Sequence, residues 1–365
     1  MSHNQSQSTQ HNDSTQQELA TQNTADSTSW GVLVVIPCLN EEAYIQGIVE
    51  YCVDELADTP STIVVADGGS KDRTLSILGD LTAKYSNVTI LNNVKKIQSA
   101  GVNLAVKEYG ASFEYFVRID VHADYPQRYI QTLVEQAETQ SADSVVVSMD
   151  TRGKRPIQSL IALAQNSALG NGGSGHRNAQ ASGQWVEHGH HALMKVQAFL
   201  NVGGYDESFS HNEDAELDAR LTHQGFRIWL TNQTNLIYYP RSNFSALAKQ
   251  YFGYGSGRCK NIIKHRTKPR LRQLVPVFVF PSAILALLSP VHWIFVIPFL
   301  TWFSASLAAG LLVASKTNTS LGALKYAIAL PAMTMHLAWS AGFCIQVIRH
   351  LSAHRRHERE IGHEH

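Results

Sequence analysis

Residues 31–70 read GVLVVIPCLNEEAYIQGIVEYCVDELADTPSTIVVADGGS and contain two short β-branched runs separated by a helical pattern. Residues 32–36 form a continuous apolar run that stops at Pro37, and residues 63–66 form a second one, so both are predicted to be buried strands. Between them, apolar residues recur on one helical face at Ile45, Ile48, Val49 and Val53. A strand, a helix and a second strand in this order predict a unit of parallel α/β sheet.

The same alternation continues beyond residue 70. Strands are predicted at residues 88–91 and 115–119, with helices at 72–85 and 99–109, so the chain from residue 31 to about 244 is assigned to the α/β class. In such sheets ligands bind beyond the carboxyl ends of the strands. Polar residues follow three of the predicted strands, which predicts one shared crevice: they are Asn40 and Glu41, Asp67, and Asp120. Neither G-x-G-x-x-G after the first strand nor a P-loop pattern occurs, which disfavours ordinary dinucleotide and P-loop functions.

Hydrophobicity divides the chain into five parts. Residues 1–30 are polar and are predicted to be a disordered tail, and they lack the apolar run of a secretory signal. Residues 31–245 form the predicted catalytic domain, residues 246–273 a basic and aromatic interfacial segment, residues 274–348 a membrane region, and residues 349–365 a C-terminal tail. The membrane region holds two to three predicted transmembrane segments, because the apolar runs at 291–314 and 321–348 are long enough to cross a bilayer. The run at 274–288 is short and contains Pro276 and Pro281, so a short span and a re-entrant segment remain alternatives.

Charge distribution predicts the orientation of these segments. Thirty Lys and Arg balance thirty Asp and Glu, so no global charge points to a nucleic-acid partner, and four scattered cysteines suggest a reducing compartment. Basic residues cluster just before the first apolar run, which places the globular domain in the cytoplasm: Arg258, Lys260, Lys264, Arg266, Lys268, Arg270 and Arg272. The tail after Ile348 is also basic, which conflicts with three full spans. A re-entrant first segment would remove that conflict.

Acidic residues supply the candidate chemistry. Asp120 and His122 lie two positions apart just past a strand, where they can hold Mg²⁺ or Mn²⁺ against diphosphate oxygens, or simply end the strand in a turn. Asp67 either caps the D-G-G-S turn or accepts a hydrogen bond from a nucleotide base. Glu213 and Asp214 open a helix, where acids are favoured by the helix dipole, and Asp214 is the candidate general base.

Two further clusters are open to more than one interpretation. The run from Glu187 to His191 contains three histidines, but it has no H-E-x-x-H spacing and is predicted to be a loop near an acceptor rather than a zinc site. The aromatic and basic segment from Gln250 to Arg258 either borders an acceptor or forms an interfacial helix.

Five blocks, in order and at ordinary spacing, resemble family 2 glycosyltransferases of the GT-A fold: PCLNEE (37–42), VADGGSKDRT (65–74), D-x-H (120–122), VGGYDE (202–207) and NEDAEL (212–217). Three more blocks resemble the bacterial subgroup that includes the glucosyltransferase of succinoglycan assembly: RIDVHADYP (118–126), GNGGSGHRN (170–178) and PRSNFSALAKQYFGYGSGR (240–258). The resemblance implies a GT-A catalytic domain followed by C-terminal transmembrane helices. It covers about residues 32–348.

The resemblance also implies an activity, namely inverting transfer of glucose from UDP-glucose to a lipid-linked or extracellular polysaccharide acceptor, in an exopolysaccharide assembly complex at the inner membrane. The implied nucleotide-sugar residues are Pro37, Asn40, Glu42, Asp67, Lys96, Gln98 and Asp120. The implied metal ligands are Asp120 and His122, the catalytic acids are Asp214 and Glu213, and the acceptor residues are Gln250 and Arg258. His122 stands where most of the family has a second Asp, which favours Mn²⁺ because imidazole suits it better than Mg²⁺.

Two other functions remain open. A polyprenyl-phosphate glycosyltransferase would share the chemistry and differ in its acceptor, whereas a catalytically silent membrane scaffold would explain the missing second Asp. No Trp follows Arg258, unlike the Q-x-x-R-W segment of the family, so a processive synthase is disfavoured.

Overall fold

The structure is a computed structural model and describes residues 30–172, 182–269 and 275–362. Residues 1–29 of the expected N-terminal tail, residues 173–178 of the Gly-rich block, Arg270, Arg272 and the last three residues lie outside the described residues. Trp30, the last residue of the expected tail, is buried and packs in the core, so the tail ends before it.

Nine strands of the described chain form one sheet. In chain order they are β1 (Val32–Cys38), β2 (Ser61–Asp67), β3 (Val88–Asn92), β4 (Tyr115–Arg118), β5 (Ala123–Asp124), β6 (Ser144–Thr151), β7 (Gln184–Val186), β8 (His190–Lys195) and β9 (Ile228–Tyr238). Across the sheet the order is β3-β2-β1-β4-β8-β6-β9-β5, and β7 pairs with β9.

The first four strands are parallel, as the alternating pattern predicts. Beyond β4 the sheet is mixed, because β8 runs antiparallel to both β4 and β6 while β6 and β9 are parallel. The register places Cys38 at the end of β1 opposite Asp67 at the end of β2, so both residues lie at the same edge of the sheet. That edge is the carboxyl edge, where the sequence predicts the crevice.

Twelve α-helices of the described chain surround or follow the sheet. They are α1 (Ile45–Glu55), α2 (Thr74–Lys84), α3 (Gln98–Tyr109), α4 (Tyr129–Gln140), α5 (Pro156–Asn166), α6 (Ala168–Asn171), α7 (Val196–Asn201), α8 (Glu213–His223), α9 (Phe244–His265), α10 (Val279–Ala286), α11 (Ile297–Lys316) and α12 (Ala329–Gly362).

The β1 run is buried on both faces of the sheet, which explains why it is apolar at every position. Val34 and Ile36 pack on one side with Ile45 and the rest of α1. Leu33 and Val35 pack on the other side, in a cluster that includes Val102 of α3 and Leu217 of α8. Helices therefore cover both faces, and the carboxyl edge of the sheet is left for ligands.

The C-terminal helices are joined to the catalytic domain through α9, which begins at Phe244 and crosses the expected domain boundary at residue 245. Glycines permit the close contact of α9 with α12. A Cβ atom on Gly255 would lie 1.9 Å from the carbonyl oxygen of Trp339, and one on Gly342 would lie 2.0 Å from that of Phe252. In the described residues, two helical stretches, Trp293–Lys316 and Gly322–Ala353, are long and apolar enough to cross a membrane by length and composition, and Val275–Ala286 is a shorter apolar helix.

Candidate active site

A cavity of about 780 Å³ opens at the carboxyl edge of the sheet. Most of the sequence-predicted site residues line it: Pro37, Lys96, Gln98, Asp120, His122, Glu213, Asp214, Gln250 and Arg258. Side chains that are 94 residues apart in the chain, Asp120 and Asp214, therefore share one cavity.

Asp67 lies beneath the cavity rim rather than in its lining. It is 3% exposed and accepts hydrogen bonds from the backbone N–H groups of Gly69 (2.8 Å) and Ser70 (3.0 Å). Its other oxygen accepts from the Ser70 hydroxyl at 2.5 Å. Gly69 adopts a φ of +85°, which favours glycine, so the D-G-G-S motif builds a tight turn around a buried carboxylate.

Asn40 and Glu42 likewise lie outside the lining and join two loops. The Asn40 side-chain oxygen accepts from the Lys71 backbone N–H at 2.8 Å, and the Glu42 carboxylate accepts from the backbone N–H of Arg73 at 3.0 Å. These bonds connect the β1–α1 loop to the β2–α2 loop. The two residues thus shape the rim near Pro37.

Asp120 lines the cavity and is held by neighbouring polar side chains. Its Oδ1 accepts from the Gln98 side-chain amide at 3.1 Å, and its Oδ2 lies 3.8 Å from Nε2 of His190. His122 points to Glu41, with 2.9 Å between Nε2 and Oε1. Within the three described segments no group of three or more His, Cys, Asp and Glu side chains is arranged to hold a metal ion. A cation at Asp120 would therefore take most of its ligands from other molecules, as Mg²⁺ and Mn²⁺ do when they bind with substrate phosphates.

Asp214 is clamped by a buried arginine. Arg118, whose side chain is 4% exposed, donates to both carboxylate oxygens, at 2.7 and 3.2 Å, and the Tyr205 hydroxyl donates to Oδ1 at 3.0 Å. Burial alone would raise the pKa of Asp214, but the Arg118 guanidinium and His191 hold it well below its usual range. Asp214 is therefore ionised at neutral pH.

The clamp continues into a buried histidine–carboxylate network. His191 lies 2.6 Å from Asp218 and 3.0 Å from the Tyr205 hydroxyl, and His188 contacts the second oxygen of Asp218 at 2.7 Å. Burial opposes a charged His191, yet the carboxylates of Asp218 and Asp214 raise its pKa above the ordinary value. The Glu187–His191 run is thus partly strand β8 and is tied to helix α8.

Sequence reasoning missed Arg118, Tyr205 and Asp218. A signal for Asp218 was present, since it follows Asp214 by four residues and so lies on the same face of α8. Arg118 and Tyr205 belong to the RIDVHADYP and VGGYDE blocks, but nothing local in the sequence shows that they meet.

Glu213 differs from its neighbour. Burial and the negative charge of Asp214 raise the pKa of Glu213 to about 7. His190, on the opposite wall, has a pKa lowered to about 4 by burial and by the positive charge of Arg118. Helix α8 thus brings to the cavity one carboxylate with a lowered pKa and one with a pKa near neutrality.

The far end of the cavity is formed by α9 and the C-terminal apolar helices. Gln250 is 9% exposed, and its amide nitrogen lies 3.1 Å from the Tyr238 hydroxyl and 3.0 Å from that of Tyr254. Its Oε1 has no hydrogen-bond partner within the described residues. Four lining residues come from the apolar segments: Pro276, Met335, His336 and Trp339. The lining also includes the cations Arg241 and Arg258.

A mixed α/β sheet with acids and a cavity at its carboxyl edge is the arrangement expected of a glycosyltransferase with a GT-A-like fold. Residues 33–203 match the family described as "Glycosyl transferase family 2", and the chain belongs to that family.

Relatives support this assignment. The chain is 52% identical over 316 residues to "Succinoglycan biosynthesis protein ExoA" of Rhizobium meliloti (strain 1021), covering 87% of this chain and 94% of the relative. It is 25% identical over 240 residues to a Methanococcus voltae dolichyl N-acetyl-alpha-D-glucosaminyl phosphate 3-beta-D-2,3-diacetamido-2,3-dideoxy-beta-D-glucuronosyltransferase, covering 62% of this chain and 72% of that one. Among solved structures, the mannosyltransferase PcManGT from Pyrobaculum calidifontis, in complex with GDP-Man and Mn²⁺, matches with a TM-score of 0.52 at 19% identity, covering 87% and 86% of the two chains.

Proposed function

We propose that the protein transfers a hexose from a nucleoside diphosphate sugar to a lipid-linked saccharide acceptor, with inversion, during assembly of a succinoglycan-type exopolysaccharide. The observation that carries this proposal is the lining of one cavity. Polar residues at strand ends and residues of the apolar C-terminal helices line it together. Such a cavity suits a water-soluble donor and an acceptor that is attached to lipid.

The donor is proposed to be UDP-glucose. The name of the 52%-identical relative supports the polysaccharide, and the GDP-Man complex of the structural neighbour supports a nucleotide sugar. Pro37, Lys96 and Gln98 line the donor end, where the Lys96 ammonium is placed to attract diphosphate oxygens. Asn40, Glu42 and Asp67 act by holding the loops around the nucleoside.

A divalent cation fits the residues at Asp120. This carboxylate lines the cavity and lies 3.8 Å from Nε2 of His190, whereas His122, the other expected ligand, also lines the cavity but contacts Glu41. Oxygen and imidazole donors suit Mn²⁺, and Mg²⁺ is the alternative. When bound, the cation supplies charge neutralisation for the departing nucleoside diphosphate.

Asp214 is proposed to be the general base, and Glu213 to assist it. The base takes the proton of the acceptor hydroxyl as that oxygen attacks the anomeric carbon. Arg118 and Tyr205 keep Asp214 ionised and fix its orientation. An ionised Glu213 beside it raises the proton affinity of Asp214 by like-charge repulsion.

The acceptor is proposed to lie between Gln250 and Arg258. Within the part of the chain that the structure describes, no donor reaches the buried Oε1 of Gln250, which is suited to accept a hydrogen bond from a sugar hydroxyl. Arg258 and Arg241 bring positive charge to the same end of the cavity, as an acceptor phosphate requires. We also propose that the protein acts at the inner membrane, with its catalytic domain in the cytoplasm and within a polysaccharide assembly complex.

A donor panel assayed for nucleoside diphosphate release in membranes tests the proposal. We expect release of nucleoside diphosphate from UDP-glucose with Mn²⁺, and loss of that release in Asp120→Ala. The control is Asp124→Ala, which should retain the release, because Asp124 is a nearby acid that contacts the Tyr239 hydroxyl. Full activity of Asp120→Ala would contradict the proposal, and absence of metal-dependent nucleotide binding would favour a silent scaffold. A comparison of polyprenyl phosphate with polyprenyl diphosphate saccharide as acceptor separates the proposal from a polyprenyl-phosphate glycosyltransferase.

A further inference from the structure

Helix α12 lies along the catalytic domain over several consecutive turns. Ala332 packs in one cluster with Leu160 and Ala164 of α5, and Met335 packs in another with Ile161 and Leu247. Farther along, Gly342 meets the backbone of Phe252, and the Ser256 hydroxyl donates to the Gln346 side chain at 3.0 Å.

These contacts hold one side of α12, while Leu330, Leu337 and Ile348 stay exposed. From Ala332 to Gln346 the helix rises by about 21 Å, at about 1.5 Å per residue. One side of this length is covered by α5 and α9, and α9 carries Lys260 and Lys264, which belong in water. Three and four residues beyond Gln346, Arg349 and His350 are exposed. A helix that is held along one side by elements that belong in water is suited to the membrane surface and not to the middle of a hydrocarbon core of about 30 Å.

Helix α11, which precedes α12, has little contact with the catalytic domain along most of its length. Apolar side chains of α11 are turned away from the protein, with Leu300 48%, Leu311 52% and Leu312 62% exposed. The buried side of α11 is a row of small residues, Ser306, Gly310 and Ala314. Lipid is the environment that suits such an exposed apolar surface.

Both ends of residues 275–316 lie against the same protein surface. Near its start, the carbonyl of Val277 accepts from the Ser340 hydroxyl of α12 at 2.8 Å. Near its end, Ala314 packs in the cluster of Leu160, on the catalytic domain. The segment is therefore a hairpin, and its turn is apolar and exposed: Leu287 72%, Val291 80% and Trp293 68%.

We propose that residues 275–316 form a re-entrant hairpin that enters the bilayer and returns to the side it came from, while α12 lies at the membrane surface as a wall of the active site. The entering arm, Val275–Ala286, is 12 residues or about 18 Å long, short of the roughly 30 Å needed to cross. No Asp, Glu, Lys or Arg occurs between Arg272 and Lys316, so the whole hairpin can enter lipid.

Basic residues flank this hairpin on the side of the catalytic domain, including Lys268 before it and Arg349 after it. They suit the anionic headgroups of the leaflet that the hairpin enters. This arrangement replaces the expected two to three transmembrane segments and puts both basic stretches on one face. It also puts Trp339 and Pro276 of the cavity wall at the bilayer surface, and it does not depend on the identity of the sugar donor.

Single introduced cysteines in the full-length chain test this topology with a membrane-impermeant maleimide. Gly79→Cys, on an exposed part of α2 with no atom near its Cβ position, reports the side of the catalytic domain. Asn318→Cys reports the α11–α12 connection, and Ser289→Cys reports the hairpin turn. The unsubstituted chain gives the background of the four native cysteines, of which Cys38, Cys52 and Cys259 are buried and Cys344 is partly buried.

We expect Asn318→Cys to label only after the cells are broken, as Gly79→Cys does, and Ser289→Cys to label only after denaturation in detergent. Labelling of Asn318→Cys on the side opposite to Gly79→Cys would overturn the inference, because α11 and α12 would then both span. Labelling of Ser289→Cys from that opposite side would also overturn it, because the hairpin would then cross completely. Nucleoside diphosphate release by the same variants reports the proposed function separately.

Discussion

Two adjacent acids at the start of α8 have pKa values that their surroundings shift in opposite directions. Asp214 accepts both arms of the Arg118 guanidinium, whereas Glu213 faces the cavity and is raised in pKa to about 7 by burial and by Asp214. The helix dipole would treat the two acids alike, since both lie in the first turn. The difference therefore comes from the buried arginine on β4.

The two acids are expected to give different pH profiles. Glu213 is protonated below a pKa of about 7, so turnover should fall as the pH drops through that value, because Asp214 loses the neighbouring charge that favours proton uptake. Glu213→Gln should remove this inflection and lower turnover about 10-fold, whereas Asp214→Asn should lower it by about 10²-fold or more at every pH. Initial rates of nucleoside diphosphate release between pH 5.5 and 8.5 measure this. An unchanged inflection in Glu213→Gln would assign the titration to another group.

Arg118 is expected to matter for stability as well as turnover. Arg118→Ala leaves Asp214 and Tyr205 buried without their cation, which should lower the free energy of unfolding by about 3–5 kcal/mol. Arg118→Lys keeps the charge but loses the two-armed contact, so its loss should be smaller. Denaturant unfolding followed by tryptophan fluorescence measures both, with Arg73→Ala, at an 80% exposed side chain, as the control. Equal stability of Arg118→Ala and the control would contradict the clamp.

At the scale of elements, the sequence predicts the first half of the domain well and the packing of the second half poorly. Strands β1 to β4 and helices α1 to α3 follow from periodicity. Helix α1 begins only at Ile45, because the Glu41 carbonyl first accepts a backbone hydrogen bond in a turn. The antiparallel insertion of β8 could not be predicted, since pairing partners depend on the whole sheet. The surface of α12 that packs on α9 also escaped prediction, because an apolar run looks the same whether it faces lipid or protein.

The contact between α9 and α12 gives a prediction at this scale. Gly255→Ala places a Cβ 1.9 Å from a backbone oxygen of α12, so the helices must separate, and we expect a loss of roughly 1–3 kcal/mol in unfolding free energy. Gly47→Ala is a matched control, because it lies in helix α1 with no atom within 4 Å of the new Cβ. The control should gain about 0.5–1 kcal/mol from helix propensity. Thermal unfolding in detergent measures both, and a stabilised Gly255→Ala would contradict the close contact.

At the scale of the whole molecule, a net charge of zero conceals a separation of charge. Exposed cations such as Lys268 and Arg349 flank the apolar hairpin, whereas Lys107 lies on α3 of the catalytic domain. If the hairpin face meets an anionic bilayer, only the first two cations approach lipid headgroups, and each contributes about 1 kcal/mol to binding at low salt.

Charge reversal on the two surfaces tests this orientation. Lys268→Glu and Arg349→Glu should each weaken binding to vesicles containing phosphatidylglycerol by about 5-fold or more, since removal of about 1 kcal/mol corresponds to such a factor. Binding to vesicles of pure phosphatidylcholine should be unchanged, because the hairpin binds through apolar contact. Lys107→Glu makes the same change in net charge and should leave both affinities unchanged. Equal weakening by all three variants would mean that net charge, and not the hairpin face, controls binding. At about 0.5 M salt the affinities of all variants should become equal, because salt then screens the attraction to headgroups within a few ångströms.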